Sequence, residues 1–290
     1  MSPLFFLIAS IVLTSWLTIS FKVAERWGVS RLQAIVFNYI VCVITGSIVN
    51  GYFPWHTGEP WFGWALVMGC CFIAIFNLAA FVVQRAGVSV ATVAYKLSLV
   101  IPFVFSLYLY NEQATWFKIS GVAMALAAIW FTTVAGKQNN TNKISRVLAL
   151  TPLLLFITSG LLDTMIKYVE QAYIDDHNQN SYLITAFGTA ALVGLVVMLG
   201  LFISRRQRFE PKAVLAGMAI GVPNYFSIWC LLGALKGYAG NSSAIIPINN
   251  MSIVLFSALV AWLIFREKLT SLNWLGVGLS IGAIALIAFG

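Results

Sequence analysis

Charged residues are scarce in this chain, and their scarcity excludes an ordinary soluble domain. Lysine, arginine, aspartate and glutamate make up 9% of the 290 residues, against about 25% in a typical globular domain. The two histidines, His56 and His177, both lie in predicted loops, so no His-Glu-x-x-His motif or similar catalytic arrangement falls on a span. The chain also has no Walker-type phosphate loop, which argues against ATP as an energy source. We therefore expect neither an enzyme nor a bound cofactor.

Cysteine is rare as well. The four cysteines all lie within apolar runs, where small core hydrophobes are expected rather than disulfides or metal ligands; they are Cys42, Cys70, Cys71 and Cys230. The N-terminal apolar run begins without a basic segment, so no cleavable signal peptide is expected.

Long apolar runs account for most of the chain. A helix needs about 20 mainly apolar residues to cross the hydrocarbon core of a bilayer. Ten such runs are present, and they contain glycine, proline, serine and threonine as membrane helices can. We therefore predict an all-α membrane protein with ten transmembrane helices. The predicted spans are 3–21, 32–52, 61–83, 88–110, 115–135, 147–168, 181–203, 213–235, 242–265 and 272–289.

Basic residues are unevenly divided between the two ends of these spans. The face with the odd-numbered connections, called side A, has thirteen lysines and arginines, whereas the opposite face, side B, has three. Loops rich in lysine and arginine stay in the cytoplasm, so side A is predicted to be cytoplasmic. Both termini lie on side B and are predicted to lie outside the cell (inner) membrane. Topology thus explains the net charge of +8, and no nucleic-acid partner is expected.

An internal repeat divides the chain into halves. The pattern Glu-x-x-Thr-x5-Gly occurs in "YNEQATWFKISG" (110–121) and again in "FREKLTSLNWLG" (265–276). Thr115 and Thr270 are predicted to cap the helices that follow them. We interpret residues 1–136 and 144–290 as two five-helix repeats joined by a polar linker, 137–143. Because five is an odd number, the second repeat must be inverted relative to the first, which is a transporter design.

These features resemble the drug/metabolite transporter superfamily, and more narrowly its EamA-type ten-helix members. The resemblance covers the whole chain and implies a bundle in which helices 1, 3, 4, 6, 8 and 9 line a central cavity, while helices 5 and 10 pack peripherally. Members move amino acids, other metabolites or drugs, often outward. Many ten-helix relatives keep both termini in the cytoplasm, which is the reverse of what the charges predict here.

Lys96 lies about eight residues inside the span predicted at 88–110. A lysine at such a depth costs about 2.5–3.5 kcal/mol on insertion scales. The corresponding segment of the second repeat, "AIIPINNMSIV", has Asn249 and Asn250 after Pro247. We predict that Lys96 binds an anionic group of a substrate and that Asn249, Asn250, Tyr95 and Asn224 orient the rest. A structural ion pair and snorkelling of the lysine to the interface are the alternatives.

Asp163 is the only acidic residue well inside a predicted span. One interpretation is an ion pair with Lys167, four residues further along the same helix. The others are a carboxylate that takes up a proton during transport, a partner for a substrate amine, or a partner for Lys96.

Further polar or aromatic residues lie on helices that the resemblance assigns to the cavity. Each is a candidate substrate contact, with packing or an interhelical hydrogen bond as the alternative. They are Trp16, Asn77, Tyr95, Asn224 and Tyr225.

The function predicted is secondary transport of a small polar metabolite, an amino acid or an organic acid, by alternating access, as an exporter or exchanger. An exporter of hydrophobic or cationic drugs, selected by Asp163, is the alternative within this fold. A membrane-embedded enzyme or a scaffold is the alternative from another class. The expected partners are a small-molecule substrate, the lipid bilayer and, if Asp163 couples transport, protons. The protein is expected to be a monomer or a homodimer.

Overall fold

The computed structural model describes residues 2–54, 58–86, 94–109, 115–133, 146–238, 242–263 and 271–289. Over these ranges the chain is all-α, with ten helices and no strand, which confirms the predicted fold class. The helices are α1 (Pro3–Arg26), α2 (Arg31–Asn50), α3 (Phe62–Ala86), α4 (Val100–Leu109), α5 (Trp116–Thr133), α6 (Arg146–Tyr173), α7 (Gln179–Ile203), α8 (Pro211–Gly237), α9 (Ser242–Leu263) and α10 (Ser271–Phe289).

Several helices have the length and composition of membrane spans. Five within the described ranges meet both requirements, namely Arg31–Asn50, Phe62–Ala79, Leu150–Tyr173, Gln179–Ile203 and Pro211–Gly237. Large apolar side chains such as Tyr108, Trp116 and Ile203 are more than four-fifths exposed, as expected where lipid replaces water as the neighbour. The four cysteines are free thiols; Cys42 and Cys230 are buried as expected of core residues, whereas Cys71 is half-buried and Cys70 is exposed.

The chain forms two compact units. Unit 1 comprises Met1–Ala74 and Tyr168–Lys236, and unit 2 comprises Ile75–Lys167 and Gly237–Gly290. Each unit therefore combines segments from both predicted repeats. The repeat boundaries themselves stay a prediction, and the linker 137–143 lies outside the described residues.

Within unit 1, α2 packs against α7 and α8. Gly217 and Gly221 lie one turn apart on α8, and a Cβ atom at either would collide with Phe37 or Val41 of α2. This small-xxx-small arrangement lets the two helices approach closely, as is common in membranes. Tyr39 of α2 adds a stacked ring contact with Phe187 of α7, with ring centroids 6.1 Å apart.

Within unit 2, α9 is the central helix. It packs against α4, α5 and α10, and residues 244–251 are buried at every position. A helix that is buried all round must find partners for its polar side chains inside the protein, because an unpaired buried polar group is costly. This requirement applies directly to Asn249 and Asn250.

The repeated sequence pattern has a structural explanation in its first copy. The Thr115 hydroxyl accepts a hydrogen bond from the backbone N–H of Lys118 at 3.2 Å, which confirms the predicted cap of α5. Gly121 of α5 faces α10, where an added Cβ atom would lie 2.6 Å from Ile287 Cγ1 and 3.2 Å from the Ile287 backbone nitrogen. Three further residues of the repeated Glu-x-x-Thr-x5-Gly pattern lie outside the described residues, namely Glu112, Glu267 and Thr270.

We expect Gly121→Leu to destabilise the protein, because the new side chain would force α5 away from the backbone of α10. Overpacking of this kind costs about 1–3 kcal/mol. Gly278→Leu is the matched control, since Gly278 on α10 is exposed and has no atom near its missing Cβ. Thermal unfolding of the detergent-purified variants measures the difference. Equal midpoints for the two variants would contradict this account of the glycine.

Candidate functional site

Lys96 lies beside a break in its helix. Residues 94–97 are helical, Ser98 and Leu99 form a turn, and α4 begins at Val100. Pro102 explains the break, because it has no N–H to donate to the Ser98 carbonyl and its ring would clash with that carbonyl in a continuous helix. The Ser98 carbonyl instead accepts from the N–H of Ile101 at 2.9 Å. The predicted span is thus divided directly after its lysine.

The backbone groups at the break find partners locally, as a membrane interior requires. The N–H of Leu99 donates to the Lys96 carbonyl at 3.3 Å, and the Ser98 hydroxyl donates to the Tyr95 carbonyl at 2.6 Å. Helix α6 packs against the turn through Gly160, where a Cβ atom would lie 2.9 Å from the Ser98 carbonyl oxygen. The break is therefore held in place by hydrogen bonds and by close helix packing.

An amide connects the two charged side chains of unit 2 that were predicted to act in transport. Lys96 Nζ donates to Asn250 Oδ1 at 3.5 Å, and Asn250 Nδ2 donates to Asp163 Oδ2 at 3.3 Å. An ammonium only donates and a carboxylate only accepts, so this orientation of the carboxamide is the one that satisfies both neighbours. Helices α6 and α9 and the helical residues before α4 each supply one member of this ammonium–amide–carboxylate array.

The Lys96 ammonium is weakly held in the array. Its hydrogen bond to Asn250 is at the long end of the accepted range. An ammonium can donate three hydrogen bonds, and within the described part of the chain Lys96 donates this one. Its nitrogen also lies 5.2 Å from the centroid of the Tyr95 ring, within the range of a cation–π contact. Lys96, Tyr95 and Asp163 are only partly buried. The ammonium can therefore accept a further anionic partner.

Asn249, next to Asn250, has an unsatisfied acceptor. Its side chain is 5% exposed, and its Oδ1 atom has no hydrogen-bond partner within the described residues. A buried amide oxygen without a donor costs free energy that a ligand or a water molecule can recover. Among the predicted residues of unit 2, Asn249 thus offers an acceptor and Lys96 offers donors.

Lys167 is a buried lysine, although the sequence predicts it near the end of a helix. The predicted span ended at 168, but α6 continues to Tyr173, so Lys167 lies inside it with 2% of its side chain exposed. Its ammonium donates to the Ser106 hydroxyl at 2.6 Å, and that hydroxyl donates to the Pro102 carbonyl at 2.6 Å. Lys167 therefore ties α6 to α4 in addition to any interaction along its own helix.

Asn224 and Tyr225 belong to unit 1 and bond to residues that sequence reasoning missed. Asn224 Nδ2 donates to Asn38 Oδ1 at 3.1 Å, and both side chains are buried. The Tyr225 hydroxyl donates to Asn180 Oδ1 at 3.1 Å, and the same oxygen accepts from the indole N–H of Trp229 at 2.9 Å. An asparagine within the second predicted span was the available signal for Asn38.

Trp16 also belongs to unit 1, where it satisfies the backbone of α8. Its indole N–H donates to the Ala219 carbonyl at 3.1 Å. That carbonyl lacks its helical partner because the residue four positions on is Pro223, which has no N–H. Asn77 is exposed on α3 in unit 2. The structure thus brings together Lys96, Tyr95, Asn250 and Asp163, with Asn249 adjacent in sequence.

Comparisons with known proteins agree with the helical fold. The model of the EamA-like transporter family matches residues 144–289. A protein of Haemophilus influenzae, described as uncharacterized, is 25% identical over 289 residues, which cover 96% of this chain and 95% of that protein. A crystal structure described only as that of a protein superposes with a TM-score of 0.73 at 14% identity and covers 98% of each chain, so it is similar in fold.

Proposed function

This chain belongs to the EamA-like transporter family, membrane transporters of the drug/metabolite transporter superfamily, and on that premise we propose that it is a secondary transporter of a small polar metabolite. The substrate class is an amino acid or an organic acid, moved by alternating access as an exporter or exchanger. The ammonium–amide–carboxylate array of unit 2 is the observation that carries this proposal.

The array suits a substrate with a carboxylate. Lys96 has donors to spare, so it supplies the positive charge that binds this group, with Asn250 and the unsatisfied Asn249 oxygen orienting neighbouring polar atoms. The Tyr95 ring lies beside the ammonium and completes the proposed contacts. One accessible ammonium in an array that already contains the Asp163 carboxylate suits a monocarboxylate better than a dianionic phosphate, which would call for a second cation.

The other predicted contacts are less well supported. Trp16, Asn224 and Tyr225 each bond to protein groups of unit 1, which favours the interhelical hydrogen-bond alternative for these three. Asn77 is exposed on α3 and stays a candidate contact. The proposal therefore depends on Lys96, Tyr95, Asn249 and Asn250.

We expect Lys96→Met to weaken substrate binding by about 10- to 100-fold, because a hydrogen bond to a charged group contributes about 1.5–3 kcal/mol. A thermal-shift screen over amino acids, organic acids and cationic drugs identifies the ligand, and binding and proteoliposome transport assays then compare the variants.

Lys96→Arg preserves the charge and should retain part of the affinity. Lys236→Gln is the matched control, because Lys236 pairs with Asp176 at 3.1 Å in unit 1. Unchanged affinity in Lys96→Met would remove the lysine from the site, and stabilisation by cationic drugs alone would favour the drug-exporter alternative.

Asp163 is proposed to couple transport to protons. Its carboxylate accepts a hydrogen bond from a neutral amide and is partly exposed, so a proton can be bound and released there as the site opens. We expect Asp163→Asn to abolish the response of transport to a pH gradient while substrate exchange continues. Asp176→Asn, an exposed acid, should leave the response intact. Gradient-driven transport that persists in Asp163→Asn would exclude this residue from coupling.

The orientation with both termini outside stays part of the proposal, on the strength of the basic residues on side A. Single cysteines introduced at Asn140 and at the exposed His177, in a background without the four native cysteines, test it with an impermeant thiol reagent on intact cells. We expect labelling at His177→Cys and none at Asn140→Cys. The opposite pattern would place both termini in the cytoplasm.

A further inference from the structure

The turn between α7 and α8 carries a concentrated positive charge. Three basic residues of this turn and one at the start of α8 are all exposed, and together they form what we call the basic turn: Arg205, Arg206, Arg208 and Lys212. Nothing in the proposed transport chemistry uses them.

The backbone of the basic turn is fixed at the end of α7. The N–H groups of Arg206 and Gln207 both donate to the Leu201 carbonyl, at 3.0 and 3.3 Å. Arg205 has a φ of 54°, the left-handed conformation that commonly ends a helix when its last carbonyls accept such bonds. Positive φ is uncommon for a residue other than glycine, so the surrounding hydrogen bonds must hold it.

A buried glutamine holds the other end of the turn. Gln33 of α2 is fully buried, and its Nε2 donates to the Arg208 carbonyl at 2.7 Å while its Oε1 accepts from the Glu210 N–H at 2.9 Å. One carboxamide therefore hydrogen-bonds to the backbone on both sides of Phe209. The arginines therefore lie on a turn whose backbone is fixed by hydrogen bonds at both ends.

The positive charge of the turn is not neutralised from within. Glu210 is its one acidic residue, and the Glu210 carboxylate accepts from the N–H of Ser30 at 2.8 Å, at the start of α2. Within the described ranges, no hydrogen bond or ion pair engages the side chains of the basic turn. Its guanidinium groups and ammonium are therefore available to an external anion.

Exposed apolar side chains lie directly beside these charges. Ile203, at the end of α7, is 83% exposed, and Phe209, within the turn, is 55% exposed. Apolar and cationic side chains exposed side by side at the end of a membrane helix are typical of the boundary between hydrocarbon and headgroups.

We propose that the basic turn is a binding site for the phosphate headgroup of an anionic phospholipid. Arginine's planar fork bonds phosphate oxygens in pairs, and clusters of four or more basic residues beside a membrane helix attract anionic lipids. The fixed backbone reduces the ordering cost of binding, since the turn does not have to fold around the headgroup. Ile203 and Phe209 contact the acyl chains of the same lipid. The site is independent of the transported substrate.

Lipid binding to the detergent-purified protein, measured by native mass spectrometry and by thermal shift, tests the proposal with phosphatidylglycerol, phosphatidylcholine and inorganic phosphate as probes. We expect phosphatidylglycerol to bind in preference to the other two. Each basic residue near an anionic surface contributes about fivefold in affinity, so Arg205→Gln/Arg206→Gln/Arg208→Gln should weaken phosphatidylglycerol binding on the order of 100-fold. Wild-type binding should also fall when the salt concentration rises from about 0.1 to 0.5 M, a readout that needs no variant.

The matched control is Lys137→Gln/Lys143→Gln/Arg146→Gln, which removes the same charge from the predicted linker region on the same predicted face. This variant should retain phosphatidylglycerol binding. Equal losses in the two triple variants would overturn the proposal, because net charge alone would then explain the binding. Equal binding of phosphatidylcholine would do the same, and equal binding of inorganic phosphate would replace the lipid site with a site for a free anion.

Discussion

A proline cannot donate a backbone hydrogen bond, and the arrangement of charged residues in unit 2 depends on this fact at Pro102. The Ser98 carbonyl loses its helical partner, the helix stops for two residues, and Lys96 lies at the end of the preceding segment. The same constraint acts at Pro223 in unit 1, where the indole of Trp16 supplies the hydrogen bond that the Ala219 carbonyl lacks. In both units, a side chain that the sequence marked as a candidate for substrate binding lies where a proline has disturbed the backbone.

Lys96 and Lys167 of unit 2 contrast in a way that separates structure from proposed function. Lys167 is almost completely buried and donates a short hydrogen bond to Ser106, which connects α6 to α4. Lys96 is partly exposed and makes a long hydrogen bond to Asn250. A buried ammonium is tolerated only when its donors are used, so Lys167 is committed to the protein. Lys96 retains donors, which is the property a binding group needs.

Long apolar runs were sufficient to predict the ten helices, because a membrane span is defined by length and hydropathy. The same method ended the sixth span too early, since Glu170 and Gln171 lower the hydropathy of "YVEQAY" although α6 continues through it. That error placed Lys167 near a helix end and hid its burial. Asn38 was missed because one asparagine hardly changes the hydropathy of a 20-residue run. Its partner, Asn224, was distinguished only by the proline before it.

Pairwise contacts were the least predictable part of the candidate site. Lys96, Asn250 and Asp163 are separated by 67 residues or more along the chain, and no local pattern specifies that a carboxamide connects the two charges. The repeat suggested that Lys96 and the asparagines lie at similar depth, but depth does not identify hydrogen-bond partners. For Asp163, the helical spacing favoured Lys167, whereas the structure adds an amide from α9 that spacing along one helix cannot reveal.

Asn250 gives the array a property that a direct ion pair would lack. Two opposite charges in contact inside a membrane protein attract strongly, and removing either partner leaves a buried charge that costs several kcal/mol. A neutral amide between them supplies one hydrogen bond to each charge, at 3.5 and 3.3 Å. A ligand can therefore replace the amide beside Lys96 without breaking an ion pair. A substrate carboxylate that displaces the Asn250 oxygen would offer Lys96 a stronger acceptor than the amide does. In the proposed function, the amide therefore holds Lys96 and Asp163 apart until a substrate takes its place beside the ammonium.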